Sequence, residues 1–369
     1  MTQVWLFDVT NYPGDPAPER YDTAIGAEVL NNGLVEWEKA EQLGFDGVYL
    51  AEHHFTPYNL TPSPNVMLAA LAQRTSRMRI GTMCNVLPFT QPLRVAEEFA
   101  MLDAISGGRI EVGLGRGADE QEFVRFGLKW SEARPMFMEG LELIKKAWTE
   151  DTFTHTGEFY PLVGECSIYP RPIQRPHPPL WITAVSPPTV GWAAQHGIAI
   201  SSGFAHAREI AIRFDHYREV ASAAGYDPAP EQLALFRHVF VAETEDEARA
   251  LCGPAFDHYL RLFVPAALPV DIDKMAVGDY SYYKEALAPF FGDGPPTFES
   301  VARTGIIILG TPEQVRDQIL EQLEMTGAGR LLAQVHFGNM AFEHVLHAEE
   351  LLASEVLPRV QSFNPAQVA

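Results

Sequence analysis

The sequence predicts an α/β fold of the (β/α)8 TIM-barrel class, with one inserted hairpin and one long mobile insert. Three observations carry this expectation. Short apolar runs alternate with amphipathic stretches from one end of the chain to the other, as they do when buried parallel strands are joined by crossover helices. About eight such pairs can be counted, and 369 residues fall inside the ~200 to 400 or more that such a barrel uses. A doubly wound open sheet shares the alternation and is the competing architecture. No linker composition interrupts the pattern, so residues 1–369 read as one domain.

Residues 4–7 form the first strand. Leu34, Trp37, Ala40 and Leu43 then recur at helical spacing until Gly44 ends the helix. Residues 47–51 are the second strand, 65–75 a helix and 78–86 the third strand. Residues 92–105 are a helix with Pro92 at its opening and Gly107-Gly108 at its close. Residues 110–114 are the fourth strand and 133–148 a long helix. Residues 153–160, with Thr-His-Thr-Gly at their centre, read as the inserted hairpin. The proline-rich run 169–179 reads as a rigid return path over the surface, and strand material resumes at 180–184. A helix at 191–196, a strand at 198–201, a helix at 207–224, a strand at 235–241 and a helix at 245–263 continue the alternation. From 264 to 302 it fails, where glycines and prolines punctuate a stretch holding Tyr280, Tyr282, Tyr283, Phe290 and Phe291. A long irregular insert with that much apolar surface reads as a lid over a site. Strand 305–309, helix 312–325, strand 331–336 and helix 342–352 complete the chain.

Composition narrows the function. Lys plus Arg number 27 against 48 Asp plus Glu, a formal charge of −21, which opposes nucleic acid and anionic membrane surfaces alike. The three cysteines, Cys84, Cys166 and Cys252, show no CxxC or CxxH spacing and suit a reducing compartment. The amino end has neither a basic n-region nor a long apolar run, so no leader or membrane span is read there, and a cytoplasmic location is expected.

Barrel active sites lie at the carboxyl ends of the strands. The second strand ends in Glu52-His53-His54-Phe55, the third in Asn85 after Met83-Cys84, and the fourth in Gly113-Leu-Gly115-Arg116-Gly117. Side chains alternate faces along a strand, so His53 and His54 point apart and no shared metal site is read; one histidine facing the mouth would serve as acid, base or donor. The glycine run satisfies G-x-G-x-x-G/A, yet it is not followed by the helix, strand and acid of a dinucleotide site. Its glycines would either relieve a tight turn or let backbone approach a ligand while Arg116 meets a phosphate. A second anion candidate is Ser186 to Thr189, where a strand gives way to a helix whose N–H groups and dipole favour phosphate.

In order along the chain, residues 44–55 (GFDGVYLAEHHF), 79–88 (RIGTMCNVLP), 92–103 (PLRVAEEFAMLD), 106–117 (SGGRIEVGLGRG), 122–127 (EFVRFG), 176–181 (PHPPLW), 192–197 (WAAQHG) and 355–358 (EVLP) resemble the bacterial luciferase-like flavin-dependent monooxygenases. The resemblance implies a barrel that holds FMN, with Arg116, Ser186 and Thr189 on its phosphate. It implies His53 at the reactive edge of the ring, and Met83, Cys84, Asn85 and Gly115 beneath it, with a cis peptide at Met83–Cys84. The activity implied is oxidation of a small, largely apolar aldehyde, ketone or similar molecule by O2 and reduced FMN, FMNH2, through a C4a-peroxyflavin. A separate NAD(P)H:flavin reductase would supply the FMNH2, and the enzyme would be a homodimer. Phe7, Phe55, Trp181 and Phe337 would wall the site. Hydride transfer from the deazaflavin F420 and non-catalytic flavin storage are the alternatives within the same resemblance. Gly115 stands where some light-emitting subunits carry cysteine, and Val185 where they carry an acid, so light emission is not implied.

Overall fold

The computed structural model describes residues 1–267 and 295–365. Ten strands run β1 (Gln3–Asp8), β2 (Gly47–Leu50), β3 (Arg79–Thr82), β4 (Asn85–Val86), β5 (Ile110–Gly115), β6 (Leu180–Thr183), β7 (Ala199–Ser202), β8 (Leu233–Val241), β9 (Ile307–Gly310) and β10 (Arg330–Gln334). Eight of them close a parallel ring in the order β10, β1, β2, β3, β5, β6, β7, β8, and β8 pairs back onto β10 with Leu235 opposite Leu331. Closure excludes the doubly wound sheet. The expected strand at 305–309 is not a stave of this ring. Among the described residues β9 pairs only with residues 238–241 of β8, which is nine residues long and offers β10 its residues 234–238.

The helices are α1 (Thr23–Leu43), α2 (Pro64–Arg74), α3 (Pro92–Ser106), α4 (Glu120–Arg125), α5 (Ala133–Thr149), α6 (Pro187–Gln195), α7 (Ala207–Ala223), α8 (Glu245–Ala267), α9 (Phe298–Ala302), α10 (Pro312–Thr326), α11 (Phe342–Leu351) and α12 (Leu357–Ser362). α1 starts well before the apolar spacing that marks it in the sequence, because Asp22 caps it by accepting from the Ala24 N–H at 2.8 Å. It stops where Gly44 turns left-handed at φ 92°, a conformation that a side chain disfavours. None of the described helices is long and apolar enough to cross a membrane.

Alternation along the strands sorts the core. In β1, Val4 and Leu6 face the helices, whereas Trp5 faces inward with Tyr49, Met83, Trp181, Phe236 and Leu332 to fill the barrel. The expected third strand at 78–86 is two strands, β3 and β4, with a cis Met83–Cys84 peptide between them. The insert after α5 does fold back on itself, but more widely than a hairpin at 153–160. Phe153 and Cys166 exchange both backbone hydrogen bonds at 2.9 Å, and the chain between them is irregular. At the ends of the 264–302 insert, α8 continues through residue 267 despite Pro254 and Pro265, and α9 occupies the far side. Tyr280, Tyr282, Tyr283, Phe290 and Phe291, on which the mobile-lid reading rests, lie outside the described residues.

One carboxylate fastens α1 to the start of β3. Glu41 accepts from the backbone N–H groups of Ser76, Arg77 and Met78 at 2.7–3.0 Å and from the Ser76 hydroxyl at 3.1 Å. Partial burial pulls its pKa up, but these donors outweigh that and hold it at about 2. Because the folded-state value is depressed, the stabilisation is complete above the ordinary carboxyl range and fades as pH falls toward 2. Urea titrations should therefore show Glu41→Gln less stable than wild type at pH 7, with the gap narrowing steadily below pH 4.5. A gap independent of pH would mean that the carboxylate charge has no part in the contact.

Candidate active site

A cavity of about 230 Å3 opens at the carboxyl ends of the strands, far more than the ~10–15 Å3 that one water needs. β1 contributes Phe7, the segment after β2 contributes Glu52 and His53, and the cis peptide contributes Met83 and Cys84. β5 and its turn give Leu114, Gly115 and Arg116, while the start of α6 gives Ser186 and Thr189. Of the residues expected to touch the flavin or its phosphate, only Asn85 is missing from the lining. It is buried behind Glu52, to which its amide donates at 2.5 Å.

The two histidines point apart, as alternation requires. His53 lines the cavity, with its ring edge-on to Tyr58 and its Nδ1 3.4 Å from Glu122 Oε1. His54 turns away into Phe55, Phe89 and Phe126, and its Nε2 lies 2.9 Å from Glu52 Oε1. Glu122 joins the two, because the same Oε1 accepts the His54 backbone N–H at 2.7 Å. Sequence reading missed Glu122, since it sits on α4 rather than at a strand end. Asp119 caps α4 through the Gln121 N–H, and burial together with Glu122 pushes its pKa up to about 6. Burial, with Glu52 and Glu122 nearby, pushes the Cys84 thiol up to about 12, so it is no thiolate nucleophile.

The glycines of the run also answer a packing demand. A Cβ on Gly113 would overlap the Thr82 carbonyl and one on Gly115 would overlap Cys84 Sγ, so these glycines let β5 lie against the chain around the cis peptide. Gly117 is left-handed at φ 81° and faces Phe123 and Val86. The α6 reading also changes. Pro187 and Pro188 have no N–H, and those of Thr189 and Val190 donate to the Ser186 carbonyl at 3.0 Å. The donors available to a ligand are therefore hydroxyls: Ser186 Oγ caps no backbone N–H and lies 2.9 Å from Thr189 Oγ1. Arg134, from the first turn of α5, is a second cation on the cavity, and it too escaped the strand-end rule.

Of the four expected walls only Phe7 lines the cavity. Phe55 is 56% exposed beneath Arg125, Trp181 lies lower in the barrel against Arg330, and Phe337 packs on His238 outside the lining. The apolar walls are instead Tyr58, Phe204, Phe236 and Phe263, with Phe137 and Trp192 from the flanking helices.

The family model for luciferase-like monooxygenases matches residues 10–330. The chain is 33% identical over 325 residues to the uncharacterized protein y4wF of Sinorhizobium fredii, spanning 88% of this chain and 90% of that one. It is 28% identical to the oxygenase component of the flavin-dependent trigonelline monooxygenase of Acinetobacter baylyi, over 86% of each chain. Among solved structures, the monooxygenase RslO1 from Streptomyces bottropensis superposes with a TM-score of 0.81 at 30% identity, over 96% of this chain and 99% of that one. The fold is also shared, at 22% identity and TM-score 0.76, with the FMN complex of a diketocamphane monooxygenase component from Pseudomonas putida, over 97% and 98%. It is shared again, at 20% and 0.67, with an F420-dependent reductase from Methanopyrus kandleri, over 97% and 99%.

The close approach of β5 to Cys84 is testable by a double-mutant cycle. Gly115→Ala alone should destabilise by ~1–3 kcal/mol, as overpacking does. The same substitution in a Cys84→Ala background should recover most of that loss in urea unfolding. Additive effects would show that the two residues do not press on each other.

Proposed function

The chain belongs to the luciferase-like monooxygenase family and is an oxidoreductase of that family; from this premise we propose that it oxidises a small, largely apolar organic molecule with O2 and reduced FMN. A separate NAD(P)H:flavin reductase supplies the reduced flavin, a reading supported by the naming of one relative as an oxygenase component. The observation that carries the proposal is a single cavity lined by both a phosphate donor set and aromatic walls.

The donor set fits FMN. Arg116 and the Ser186 and Thr189 hydroxyls offer charge-assisted and neutral hydrogen bonds to a phosphate, with Arg134 adding a second positive charge. Met83 and Leu114 give apolar surface on which a flat ring can lie, and Asn85 acts from behind by holding Glu52. Bound reduced FMN supplies the electrons and the activation of O2. His53 manages the proton. Its ring stands at the cavity wall beside the Glu122 carboxylate, 3.4 Å from Nδ1, where an imidazole can take or return a proton at the reacting oxygen. Phe7, Tyr58, Phe204, Phe236 and Phe263 keep water from the reacting atoms and select an apolar substrate.

Titration with FMN and riboflavin tests the phosphate assignment. Arg116→Ala should weaken FMN binding by ~10- to 150-fold, about 1.5–3 kcal/mol, and leave riboflavin binding unchanged. Equal losses for both ligands would remove Arg116 from the phosphate. Across a panel of aldehydes and ketones, O2 uptake should match substrate consumption when reduced FMN is supplied. Anaerobic turnover with reduced F420, or FMN binding with no turnover, would overturn the proposal.

A further inference from the structure

Two hydroxyls on the cavity wall have no part in the phosphate site. Thr183 ends β6, Ser201 lies next to last in β7, and both line the cavity. Trp181 and Ala199, two positions earlier on each strand, point into the barrel, so alternation turns Thr183 and Ser201 inward as well. The strands pair in parallel with Thr183 opposite Ser201, and the Ala184 N–H locks that register by donating to the Ser201 carbonyl at 2.9 Å. The two hydroxyls therefore stand side by side on one face of the sheet.

Their spacing suits a shared ligand atom. Thr183 Oγ1 and Ser201 Oγ are 3.5 Å apart, beyond the ~2.5–3.0 Å of a sound O–H···O bond. Among the described residues neither hydroxyl has another hydrogen-bond partner. Ser201 is buried, and buried polar groups are nearly always satisfied. One acceptor oxygen seated between the two takes a hydrogen bond of ordinary length from each. In the closed ring β7 lies four staves from β2 in either direction, so the pair faces His53 from the opposite side of the mouth. Ser186, three residues beyond Thr183, begins the phosphate end, and Phe204, three residues beyond Ser201, begins the aromatic wall. An apolar molecule lying against Phe7, Phe204 and Phe236 thus meets two donors for one polar oxygen.

We propose that Thr183 and Ser201 bind the carbonyl oxygen of the substrate as paired donors, which makes the molecule oxidised an apolar aldehyde or ketone. The assignment rests on oxygenation by O2 and reduced FMN. When a nucleophile adds to a carbonyl carbon, the C=O π pair moves onto oxygen, and fixed donors aimed at that oxygen stabilise the charge as it builds. Overall, one atom of O2 enters the carbonyl compound to give an acid or an ester and the other leaves as water. Reduced FMN gives up the two electrons and two protons this requires. A purely hydrocarbon substrate would leave both hydroxyls bare, at a cost that two apolar residues in their place would avoid.

The test compares full-length wild type with Thr183→Val, Ser201→Ala and the double variant, substitutions that nearly keep side-chain volume. Each protein is titrated with FMN. The FMN-bound protein is then titrated with cyclohexanone, acetophenone and decanal, each beside the isostere in which a methylene group replaces the carbonyl oxygen. In the wild type at least one carbonyl probe should bind roughly 10-fold or more tightly than its isostere, as two neutral hydrogen bonds predict. Each single variant should lose part of that preference and the double variant nearly all of it, with affinity for FMN and for the isostere held within about 2-fold. The infrared C=O stretch of the bound probe should rise in the double variant, which reads polarisation without turnover. A wild type that binds FMN but prefers no carbonyl probe, or a double variant that keeps the preference, overturns the pair and leaves the flavin reading standing. Loss of FMN affinity in a double variant that melts at the wild-type temperature puts the hydroxyls on the flavin and overturns it too. Failure of the wild type to bind FMN defeats the flavin reading itself and the pair with it.

Discussion

A single guanidinium ties the lower half of the barrel together. Arg330 enters the interior from β10 and donates to Tyr49 Oη at 2.6 Å and to Glu111 Oε2 at 2.8 Å. Its flat face lies between the rings of Trp5 and Trp181, 4.2 and 4.3 Å from their centroids. Glu111 is held from the other side by Arg79 at 2.7 Å. Burial pulls the Glu111 carboxyl up, but Arg330 and Arg79 outweigh it and keep its pKa below the usual range. Six of the eight staves, β1, β2, β3, β5, β6 and β10, are thus tied to one charge. Removing one partner of such a buried pair typically destabilises by ~3–5 kcal/mol, because the other is left uncompensated. The strand ends that carry the cavity keep their spacing because this layer beneath them is closed and full.

Upward from that layer, inward-facing residues change from charged and aromatic to purely apolar, and then to the mixed polar rim of the cavity. Phe7 and Phe236 meet edge to face at 5.0 Å just above Trp5 and Tyr49. Above them His53, Arg116 and Ser186 come from β2, β5 and β6, elements far apart in sequence but fixed in angle by the ring. A rigid scaffold under short connections lets a few polar groups converge around an apolar pocket.

Much of this was legible residue by residue. Gly44 and Gly107 marked helix ends because only a left-handed residue stops those helices. His53, Arg116, Ser186 and Thr189 stood out because polar residues directly after a buried strand have few structural reasons to be there. What escaped depended on contacts distant in sequence. Nothing local distinguishes β9 from a stave, since its exclusion is decided by the length of β8. Glu122 and Arg134 reach the cavity from helices, where a charged residue reads as solvated surface. Trp181 and Phe337 looked like walls because strand-end position alone does not say how deep a side chain sits. The packing demand on the β5 glycines comes from Thr82 and Cys84, about thirty residues away in sequence, which no local pattern reveals.

We place FMN in this cavity, with its phosphate between the β5 turn and the start of α6. The most direct measurement is a crystal structure of the full chain with FMN. Phosphate density should lie within hydrogen-bonding distance of Arg116, Ser186 Oγ and Thr189 Oγ1, with the ring over Met83–Cys84 and its edge toward His53. Density for FMN at any other place, or a phosphate pointing away from Arg116 into solvent, would contradict it.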